Sequence, residues 1–281
     1  MLGSSLCRLF DKAYEVYAFH RDKTCLVNCK GSFSIDLLDS QGIKTIINSI
    51  NPDLVIHCAA IIDIERCEKY PKLAYDLNVR ITENVVKSCS AKTKIIYIST
   101  DQVYGHMNVC IESNNKLNPV NEYGKSKLLG ERKVQEITQN YIIIRTNIFG
   151  WNIKKNKVSS AEWMYNSLND GNKIKLFTDY VFSPIYTMLL GEIMMQLVVD
   201  GYKGIINIGS VLPCSKYKFG IAIAKRFNLN PSLISESSIK EFKFVAPRCP
   251  DLTMDFCRIF DLGIKLPSYH KSINAFYTQN K

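Results

Sequence analysis

Short apolar runs alternate with helix-like segments through the first half of this chain, and this rhythm restricts its fold more than any other feature. The predicted strands are Tyr14 to Phe19, Asp53 to Ala60, Lys94 to Thr100 and Tyr141 to Thr146. They are apolar almost throughout, which is typical of parallel strands covered by helices on both faces. We therefore predict an α/β fold with a doubly wound parallel sheet.

Helical segments fill the intervals between these strands. Gly42 to Ile50 places its isoleucines on one face, and Tyr123 to Gln139 contains no proline and is rich in Lys, Glu and Leu. A further apolar stripe repeats every four residues, at Leu73, Leu77, Ile81 and Val85. Spacings of three and four residues indicate one face of a helix, so each of these segments can cover the sheet.

The strand–helix rhythm weakens after about Gly150. The later predicted elements are helices over Ser159 to Leu168 and Lys216 to Phe227, and a strand over Gly204 to Gly209. We expect residues 1–150 to form the sheet domain, with 182–210 returning to it. Residues 151–181 and 211–281 would form a smaller lobe over the carboxyl ends of the strands, where α/β proteins bind ligands.

The chain is basic, with a formal net charge of +10 and a pI near 9.0. Its lysines are scattered, as at Lys92, Lys125, Lys154 and Lys173, and form no dense arm of the kind that binds nucleic acid. Two interpretations stay open: a solvated lysine-rich surface, or a basic cleft that attracts phosphate groups.

The cysteines and the hydropathy favour a cytoplasmic protein. None of the ten cysteines forms a C-x-x-C pair, and Cys25 and Cys29 have no second pair to complete a zinc site. We therefore expect reduced thiols and no metal. No apolar run reaches the roughly 18 residues of a membrane helix, so no membrane partner is expected.

Tyr123 and Lys127 are the strongest candidates for catalysis. Side chains four residues apart on a helix lie on one face, with Cβ atoms about 5–6 Å apart. A neighbouring ammonium favours the phenolate, so such a pair can act as a general acid and base. Thr100, at the end of a predicted strand, would bring a hydroxyl to the same edge of the sheet, where substrates bind. Pro119 and Asn121 mark the turn before the helix.

Two motifs carry a resemblance to a known family: STDQVYG at residues 99–105 and NPVNEYGKSKLLGE at 118–131. They resemble the extended short-chain dehydrogenases/reductases, and most of all the dTDP-4-dehydrorhamnose reductases. Shorter matches include HCAA at residues 57–60 and PRCP at 247–250. The resemblance covers nearly the whole chain, and it implies a Rossmann-type fold and the reduction of a nucleotide-linked 4-keto-6-deoxy sugar.

The resemblance also implies a role for individual residues. Tyr123 would donate the proton to the keto oxygen, Thr100 would bind that oxygen, and Lys127 would hold the nicotinamide ribose and lower the pKa of Tyr123. For the cofactor and substrate, the further residues implied are Gly3, Ala59 and Ala60 along the dinucleotide, Asp36 and Leu37 beside the adenine, and Arg248 at a substrate phosphate. Arg248 could equally form a salt bridge between the lobes, and Asn78 is more typical of a structural role.

Arg21 favours NADPH as the cofactor, with NADH as the open alternative. It follows the first predicted strand, where an acidic residue would bind the ribose of NAD and an arginine accommodates the 2′-phosphate of NADP. Asp22, the next residue in the chain, is acidic and therefore favours NADH instead. The expected partner is a nucleotide-sugar substrate, and a homodimer is compatible with the resemblance.

The chain departs from the family at its beginning. Relatives open with a strand and G-x-x-G-x-x-G, whereas Met1-Leu2-Gly3 matches only the end of that motif, with Gly3 as the third glycine. We hypothesise that the sequence is a fragment or that Met1 is an internal methionine. A sheet without its first strand would expose the edges of two neighbouring strands.

Two alternatives to the reductase stay open. A nucleotide-sugar epimerase or dehydratase of the same superfamily would use the same pair, but a dehydratase needs two carboxylates after Thr100, and Asp101 is followed by Gln102. A non-catalytic dinucleotide-binding subunit, similar to the regulatory subunit of methionine adenosyltransferase, belongs to a different class. The intact Thr100, Tyr123 and Lys127 favour the enzyme.

Overall fold

A five-stranded parallel sheet lies at the centre of the protein in the computed structural model, which describes residues 1–21, 27–106, 117–154 and 157–279. Asp22, Cys25 and part of the loop after Gly105 lie outside these residues. The strands are β1 Tyr17–His20, β2 Gly31–Ser34, β3 Leu54–His57, β4 Lys94–Ile98, β5 Tyr141–Phe149, β6 Ile174–Phe177, β7 Val181–Phe182, β8 Pro184–Tyr186, β9 Gly204–Ile208, β10 Cys214–Ser215, β11 Ile234–Ser237 and β12 Asp251–Leu252. The helices are α1 Leu2–Phe10, α2 Ser40–Ile50, α3 Ile64–Lys69, α4 Pro71–Tyr75, α5 Ile81–Ser88, α6 Glu122–Ile137, α7 Ser160–Asn169, α8 Thr187–Val199, α9 Lys216–Arg226, α10 Cys257–Asp261 and α11 Tyr269–Thr278.

The central sheet has the strand order β3-β4-β5, and β5 then pairs with both β9 and β8. The first part of β5 runs beside β9, with Ile142 opposite Gly204, and its last three residues run beside β8. Every pairing in this sheet is parallel. The carboxyl ends of these strands therefore meet at one edge, as the sequence predicts.

Helices cover both faces of this sheet, which confirms the doubly wound α/β fold. On one face Leu2 and Leu6 of α1 pack with α8 and α10 in the largest core cluster. On the other face α5 and α6 contribute Val86 and Val134, which pack against the opposite sides of β4 and β5. Burial on both faces, most complete in β4 and β5, explains why the strand sequences are apolar.

The sheet is interrupted between β1 and β3. Among the described residues β1 pairs with β2 alone, and β3 pairs with β4 alone. Phe19 of β1 and Val55 of β3 nevertheless pack against the same cluster, formed by α2 and α5. The helix layer thus holds two separate pieces of parallel sheet side by side, and the facing edges of β1 and β3 form no backbone pairs with each other.

A second core lies in the C-terminal part of the chain. It is built around Phe149 at the end of β5, with Phe219 of α9 and Phe276 of α11 packed edge-to-face against it. Small sheets border it, since β6 pairs with β11, and β7 pairs with β10 and β12. We keep the division into a sheet domain (1–150 and 182–210) and a smaller lobe (151–181 and 211–281) as a proposal.

Several predicted boundaries are wrong by a few residues. The first strand is Tyr17–His20 instead of Tyr14 to Phe19, and β4 ends at Ile98, two residues before Thr100. β5 continues to Phe149, past Arg145-Thr146, because its last residues find a second partner in β8. The stripe from Leu73 to Val85 is helical but contains a π-helical turn over Asp76–Arg80.

A buried ion pair joins α6 to the sheet. Arg145 of β5 binds Glu131 of α6 in a bidentate manner, at 2.7 and 3.0 Å, and both side chains are almost completely buried. Ser99 donates to the same carboxylate, and Arg145 also contacts the hydroxyl of Tyr104 at 3.2 Å. Tyr104 in turn donates to Asn207 of β9 at 2.7 Å. This network fixes α6 relative to the ends of three strands.

We expect Arg145→Met to lower the free energy of unfolding by about 3–5 kcal/mol, because it leaves the buried Glu131 carboxylate without its partner. Urea denaturation followed by circular dichroism measures this change. Lys133→Met is the matched control, since it breaks a pair with Glu136 that is much more exposed and whose loss should cost about 0–1 kcal/mol. Equal losses in the two variants would contradict the account.

Candidate functional site

Thr100 lies just beyond the carboxyl end of β4 and is buried. Its side-chain oxygen caps a short 3₁₀ turn, Asp101–Val103, by accepting a hydrogen bond from the backbone N–H of Gln102 at 3.2 Å. Its hydroxyl also lies 3.1 Å from a carboxylate oxygen of Asp101. The cap holds the Thr100 hydroxyl at the edge of the sheet where the sequence predicts it.

The N-terminus of α6 is fixed against this turn. Asn121 is fully buried and caps the helix by accepting from the N–H of Gly124 at 2.9 Å, while its amide donates to Gln102 and to the carbonyl of Pro247. A Cβ on Gly124 would lie 2.5 Å from the Gln102 carbonyl oxygen, so the close approach of helix and turn requires glycine at this position. The two segments therefore present Tyr123 and Thr100 to each other.

The Tyr123 phenol lies near the Thr100 hydroxyl, which contributes to its pKa. Burial raises the pKa of Tyr123 above its ordinary value, and the hydrogen bond with Thr100 acts in the opposite direction. The phenol is therefore protonated at neutral pH. Tyr123 as a whole residue is partly exposed.

Lys127 lies one turn further along α6 and is 2% exposed. Its ammonium is placed over the ring of Tyr97, 4.0 Å from the centroid, and forms no hydrogen bond or ion pair with a side chain in the described part of the chain. Burial lowers the pKa of Lys127 to about 7, while the carboxylate of Glu131 acts to raise it. This ammonium has free N–H donors next to Tyr123.

The pKa of Tyr123 is raised mainly by burial; Thr100 acts to lower it, and Asp101 and Cys67 act to raise it. The ammonium of Lys127 faces the ring of Tyr97. That Lys127 lowers the pKa of Tyr123 stays a prediction. A phenol that keeps its proton suits a reduction, in which the tyrosine has to donate that proton.

Asp101 is a buried carboxyl group beside the candidate residues Thr100 and Tyr123. Asn147 donates to it at 2.7 Å, and its exposure is 0%. Burial raises the pKa of Asp101 to about 6, whereas the hydrogen bonds from Asn147 and Thr100 act to lower it. In the sequence, Asp101 was considered only because a dehydratase would need a second carboxylate beside it. In the structure, Asp101 itself contacts Thr100 and Asn147.

The residues proposed for the cofactor follow the carboxyl ends of β1, β2 and β3, which belong to the two separate pieces of parallel sheet. Ala59 and Ala60 follow β3, and Asp36 and Leu37 follow β2. Arg21 follows β1 and is exposed. The pKa of Lys154 is lowered, mainly by burial and to a smaller extent by the charges of Lys157 and Arg21. Lys154 therefore lies close enough to Arg21 for the two charges to interact. The basic residues that appear scattered in the sequence thus form a small group here.

Gly3 lies in the first turn of α1, beside Cys58 after β3. A Cβ on Gly3 would lie 3.8 Å from the Cβ of Cys58, an ordinary contact, so packing within the protein does not require glycine. The small residues at this turn and the cations Lys154 and Lys157, which act on the nearby Met1 amino group, fit a phosphate-bearing dinucleotide. The roles of all these residues stay proposals.

Asn78 and Arg248 take part in contacts between segments. Asn78 is buried, exchanges two hydrogen bonds with the backbone of Ile61 and donates to Ser126, so it connects the segment after β3 to α6. Arg248 forms an ion pair with Glu65, which also accepts from the backbone N–H groups of residues 245 and 246. The structure thus places Arg248 in a salt bridge between segments, and contact with a substrate phosphate stays a prediction.

Tyr180 and Lys216 were missed by the sequence analysis. Gln102 donates to the Tyr180 hydroxyl at 3.4 Å, and the ammonium of Lys216 lies 5.5 Å from the Tyr180 ring. Both residues come from the C-terminal part of the chain and reach the site only through the pairing of β7 and β10. No local sequence signal identifies them.

The parallel sheet, the hydroxyl after β4 and the Tyr–Lys pair on α6 together define a protein of the short-chain dehydrogenase/reductase type. The chain belongs to the family described as the RmlD substrate binding domain, whose model matches residues 1–281.

Named relatives and solved structures agree with this assignment. The chain is 25% identical to the probable low-salt glycan biosynthesis reductase Agl14 of Haloferax volcanii, over 98% of this chain and 93% of that protein. It is 26% identical to methionine adenosyltransferase 2 subunit beta of Danio rerio, over 83% of this chain and 74% of the relative. The dTDP-4-dehydrorhamnose reductase of Bacillus anthracis, solved in complex with NADP, superposes with a TM-score of 0.84 at 23% identity, covering 94% and 98% of the two chains.

Among the described residues, no helix combines the length and apolar composition needed to cross a membrane. Nor do the His, Cys, Asp and Glu side chains of these residues form a group of three or more suited to a metal ion.

The raised pKa of Asp101 predicts a specific pH dependence of stability. Because the folded state holds this proton more tightly than the unfolded state, the contribution of Asp101 is most favourable at low pH and is lost as the pH rises from about 4 to about 6. The free energy of unfolding of Asp101→Asn should therefore increase by about 3 kcal/mol relative to that of the parent as the pH rises through this interval. Each pKa unit corresponds to about 1.4 kcal/mol.

Urea denaturation of parent and variant between pH 4 and 7, the range set by that pKa, measures the difference. Glu83→Gln is the control with the opposite sign, since the hydrogen bond from Lys87 lowers the pKa of Glu83 and its contribution is lost as the pH falls. If the difference in free energy of unfolding between Asp101→Asn and the parent does not change with pH, the raised pKa of Asp101 is refuted.

Proposed function

We propose that this protein is an NAD(P)H-dependent reductase of a nucleotide-linked 4-keto-6-deoxy sugar. The observation that carries the proposal is the arrangement of Thr100, Tyr123 and Lys127: a buried hydroxyl near a protonated phenol, with a buried ammonium one helical turn away. Family membership and the reductase names among similar proteins support it.

Each of the three side chains has a distinct task. The Thr100 hydroxyl hydrogen-bonds the keto oxygen of the substrate and orients it. The Tyr123 phenol donates its proton to that oxygen as negative charge develops there. The ammonium of Lys127 then stabilises the resulting phenolate, because an opposite charge nearby favours the ionised tyrosine.

The dinucleotide would lie along the carboxyl edge of the sheet. Gly3, Ala59 and Ala60 would line it, Asp36 and Leu37 would flank its adenine, and Lys127 would also bind its nicotinamide ribose. When bound, the cofactor supplies the hydride that reduces the carbonyl carbon. We propose NADPH over NADH because Arg21 and Lys154 bring two cations to the end of β1, where a 2′-phosphate would lie.

The specific sugar is proposed from similar proteins. Solved structures named as dTDP-4-dehydrorhamnose reductases share the fold, and one named as a hypothetical dTDP-4-dehydrorhamnose reductase, from Sulfolobus tokodaii, has 27% identity and a TM-score of 0.80. We therefore propose dTDP-4-keto-6-deoxy-L-mannose as the first substrate to test, with a place in dTDP-rhamnose and polysaccharide synthesis. We also propose a cytoplasmic location, in keeping with a soluble nucleotide-sugar substrate, and a homodimer as the oligomeric state to test.

The second candidate is a non-catalytic dinucleotide-binding subunit. It is favoured by the similarity to proteins named methionine adenosyltransferase 2 subunit beta, at 26% to 28% identity. It would not require a proton donor beside a bound carbonyl. A dehydratase is disfavoured, because the residue after Asp101 is Gln102, whose side chain is held by Tyr180 and Asn121.

Tyr123→Phe removes the proton donor and keeps the ring. We expect kcat for NADPH oxidation with dTDP-4-keto-6-deoxy-L-mannose to fall about 10²- to 10⁴-fold, the usual contribution of a general acid. The Kd for NADPH, measured by fluorescence titration, should stay close to that of the parent. Undiminished turnover in this variant would overturn the mechanism, and a parent without turnover on any keto sugar would favour the binding subunit.

Arg21→Glu tests the choice of cofactor. Replacing a cation by an anion at the proposed 2′-phosphate position should raise the Kd for NADPH about 10- to 100-fold, which corresponds to the loss of a charge-assisted hydrogen bond. The Kd for NADH should change much less. An equal rise in the Kd for NADPH and for NADH would show that Arg21 does not bind the 2′-phosphate.

A further inference from the structure

The hydroxyl group of Thr100 has two polar neighbours that fix its hydrogen bonding. Its oxygen accepts from the backbone N–H of Gln102 at 3.2 Å, and it lies 3.1 Å from Oδ1 of Asp101. A backbone N–H can only donate, whereas a threonine hydroxyl has one proton to donate and two lone pairs that accept. The direction of the hydrogen bond between Thr100 and Asp101 therefore decides whether Thr100 can donate to a ligand.

The other oxygen of the Asp101 carboxyl group is held by Asn147. Nδ2 of Asn147 donates to Oδ2 of Asp101 at 2.7 Å, and Asp101 is 0% exposed. An amide N–H only donates, so Oδ2 is an acceptor in both protonation states of the carboxyl group. A proton taken up by Asp101 is therefore bound at Oδ1, on the side of Thr100.

The same heavy-atom positions allow two arrangements of protons. When Asp101 is ionised, it accepts the only proton of Thr100, and Thr100 has no donor left for a ligand. When Asp101 is protonated, it donates to the Thr100 oxygen, and the lone pairs of that oxygen are occupied by Asp101 and Gln102. The Thr100 proton is then free to point to a ligand. A keto oxygen can only accept, so it requires the second arrangement.

We propose that Asp101 is a positioning residue that directs the proton of Thr100, and that Thr100 donates to the keto oxygen of the substrate only while Asp101 is protonated. The inference rests on the proposed function, which places the keto oxygen at Thr100. Where Asp101 is ionised in the free protein, binding of the keto sugar takes up one proton from solvent at Oδ1. The reaction does not consume this proton, because the proton added to the keto oxygen comes from Tyr123.

The surroundings of Asp101 place this change in an accessible range of pH. Burial raises the pKa of Asp101 to about 6. The charged and titratable groups that face it are Tyr123 of α6, Tyr180 before β7, Lys216 of α9 and Cys249 before β12. Burial raises the pKa of both tyrosines and of the cysteine, whereas it lowers the pKa of Lys216 to about 8. Titration of Lys216 is common to the parent and the variants compared below.

The first test compares Asp101→Asn with the parent as a function of pH. Asn147 should bind the carboxamide oxygen of the variant, so that its N–H faces Thr100 at every pH and imitates the protonated carboxyl group. With NADPH and dTDP-4-keto-6-deoxy-L-mannose, kcat/KM of the parent should fall about tenfold for each pH unit above the pKa of Asp101. The ratio of variant to parent should therefore rise about 100-fold between pH 5 and pH 8, two units above that pKa.

Two further variants test whether the effect passes through Thr100. Asn147→Leu removes a hydrogen bond that favours the ionised carboxylate, so the fall in kcat/KM should begin at a higher pH than in the parent. In Thr100→Val the donor is absent, so adding Asp101→Asn should leave kcat/KM unchanged at high pH. Asp261→Asn removes an exposed carboxylate at the end of α10 and is the matched control. Its ratio to the parent should stay constant with pH.

Proton uptake is a second readout that does not require turnover. The keto sugar would be titrated into protein saturated with NADP⁺ in an isothermal calorimeter, in two buffers with different heats of ionisation. Near neutral pH, above the pKa of Asp101, the parent should take up about one proton more than Asp101→Asn. Circular dichroism at each pH checks that the variants are folded, and if Asp101→Asn is not folded, the shift in Asn147→Leu tests the same claim.

Three results would overturn the inference. A ratio of Asp101→Asn to parent that does not change with pH would show that Asp101 does not direct the Thr100 proton. A gain from Asp101→Asn at high pH that persists in Thr100→Val would show that the carboxyl group acts on another residue. Equal proton uptake in parent and variant would place the proton elsewhere. A parent that reduces no keto sugar at any pH would instead overturn the proposed function itself.

Discussion

The buried pair of Glu131 and Arg145 is the interaction on which the geometry of the site depends. Arg145 belongs to the central strand of the main sheet, and Glu131 belongs to the helix that carries Tyr123 and Lys127. The same two groups bind Ser99, next to Thr100, and Tyr104, which reaches β9. An isolated charge at either position would be very costly to bury, so both partners are held in one arrangement. That arrangement sets the distance between the tyrosine and the threonine.

Burial also determines the charge states in the site. It raises the pKa of Tyr123 and Asp101 and lowers the pKa of Lys127 and Lys216, because each shift favours the neutral form of a group removed from water. Divergent shifts on neighbouring groups are typical of sites that transfer protons. Here they leave a protonated phenol as the donor, while the two lysines have no acceptors on the described residues and can bind ligand groups.

The sequence predicted the parts of the molecule that depend on local pattern. Continuous apolar strands, the spacing of Tyr123 and Lys127, and Thr100 at the end of a strand all follow from short-range periodicity, and the fold confirms the parallel sheet. The extension of β5 to Phe149 was missed because it depends on pairing with β8, some 37 residues away in the chain. Lys216 was missed for the same reason, since its place against the rings of Tyr180 and Phe182 results from tertiary packing. The raised pKa of Tyr123 could not be predicted, because its main cause is burial, which a sequence does not show.

The most direct test of the central claim is the transfer of a label. The protein would be incubated with NADPH deuterated at C4 of the nicotinamide, in both stereochemical forms, and with dTDP-4-keto-6-deoxy-L-mannose, and the sugar product would be analysed by mass spectrometry. We predict that one of the two labelled forms places a single deuterium on the carbon that carried the keto group. Absence of deuterium from the sugar with both forms, despite bound cofactor, would contradict the assignment of Tyr123, Thr100 and Lys127 to a reductase site.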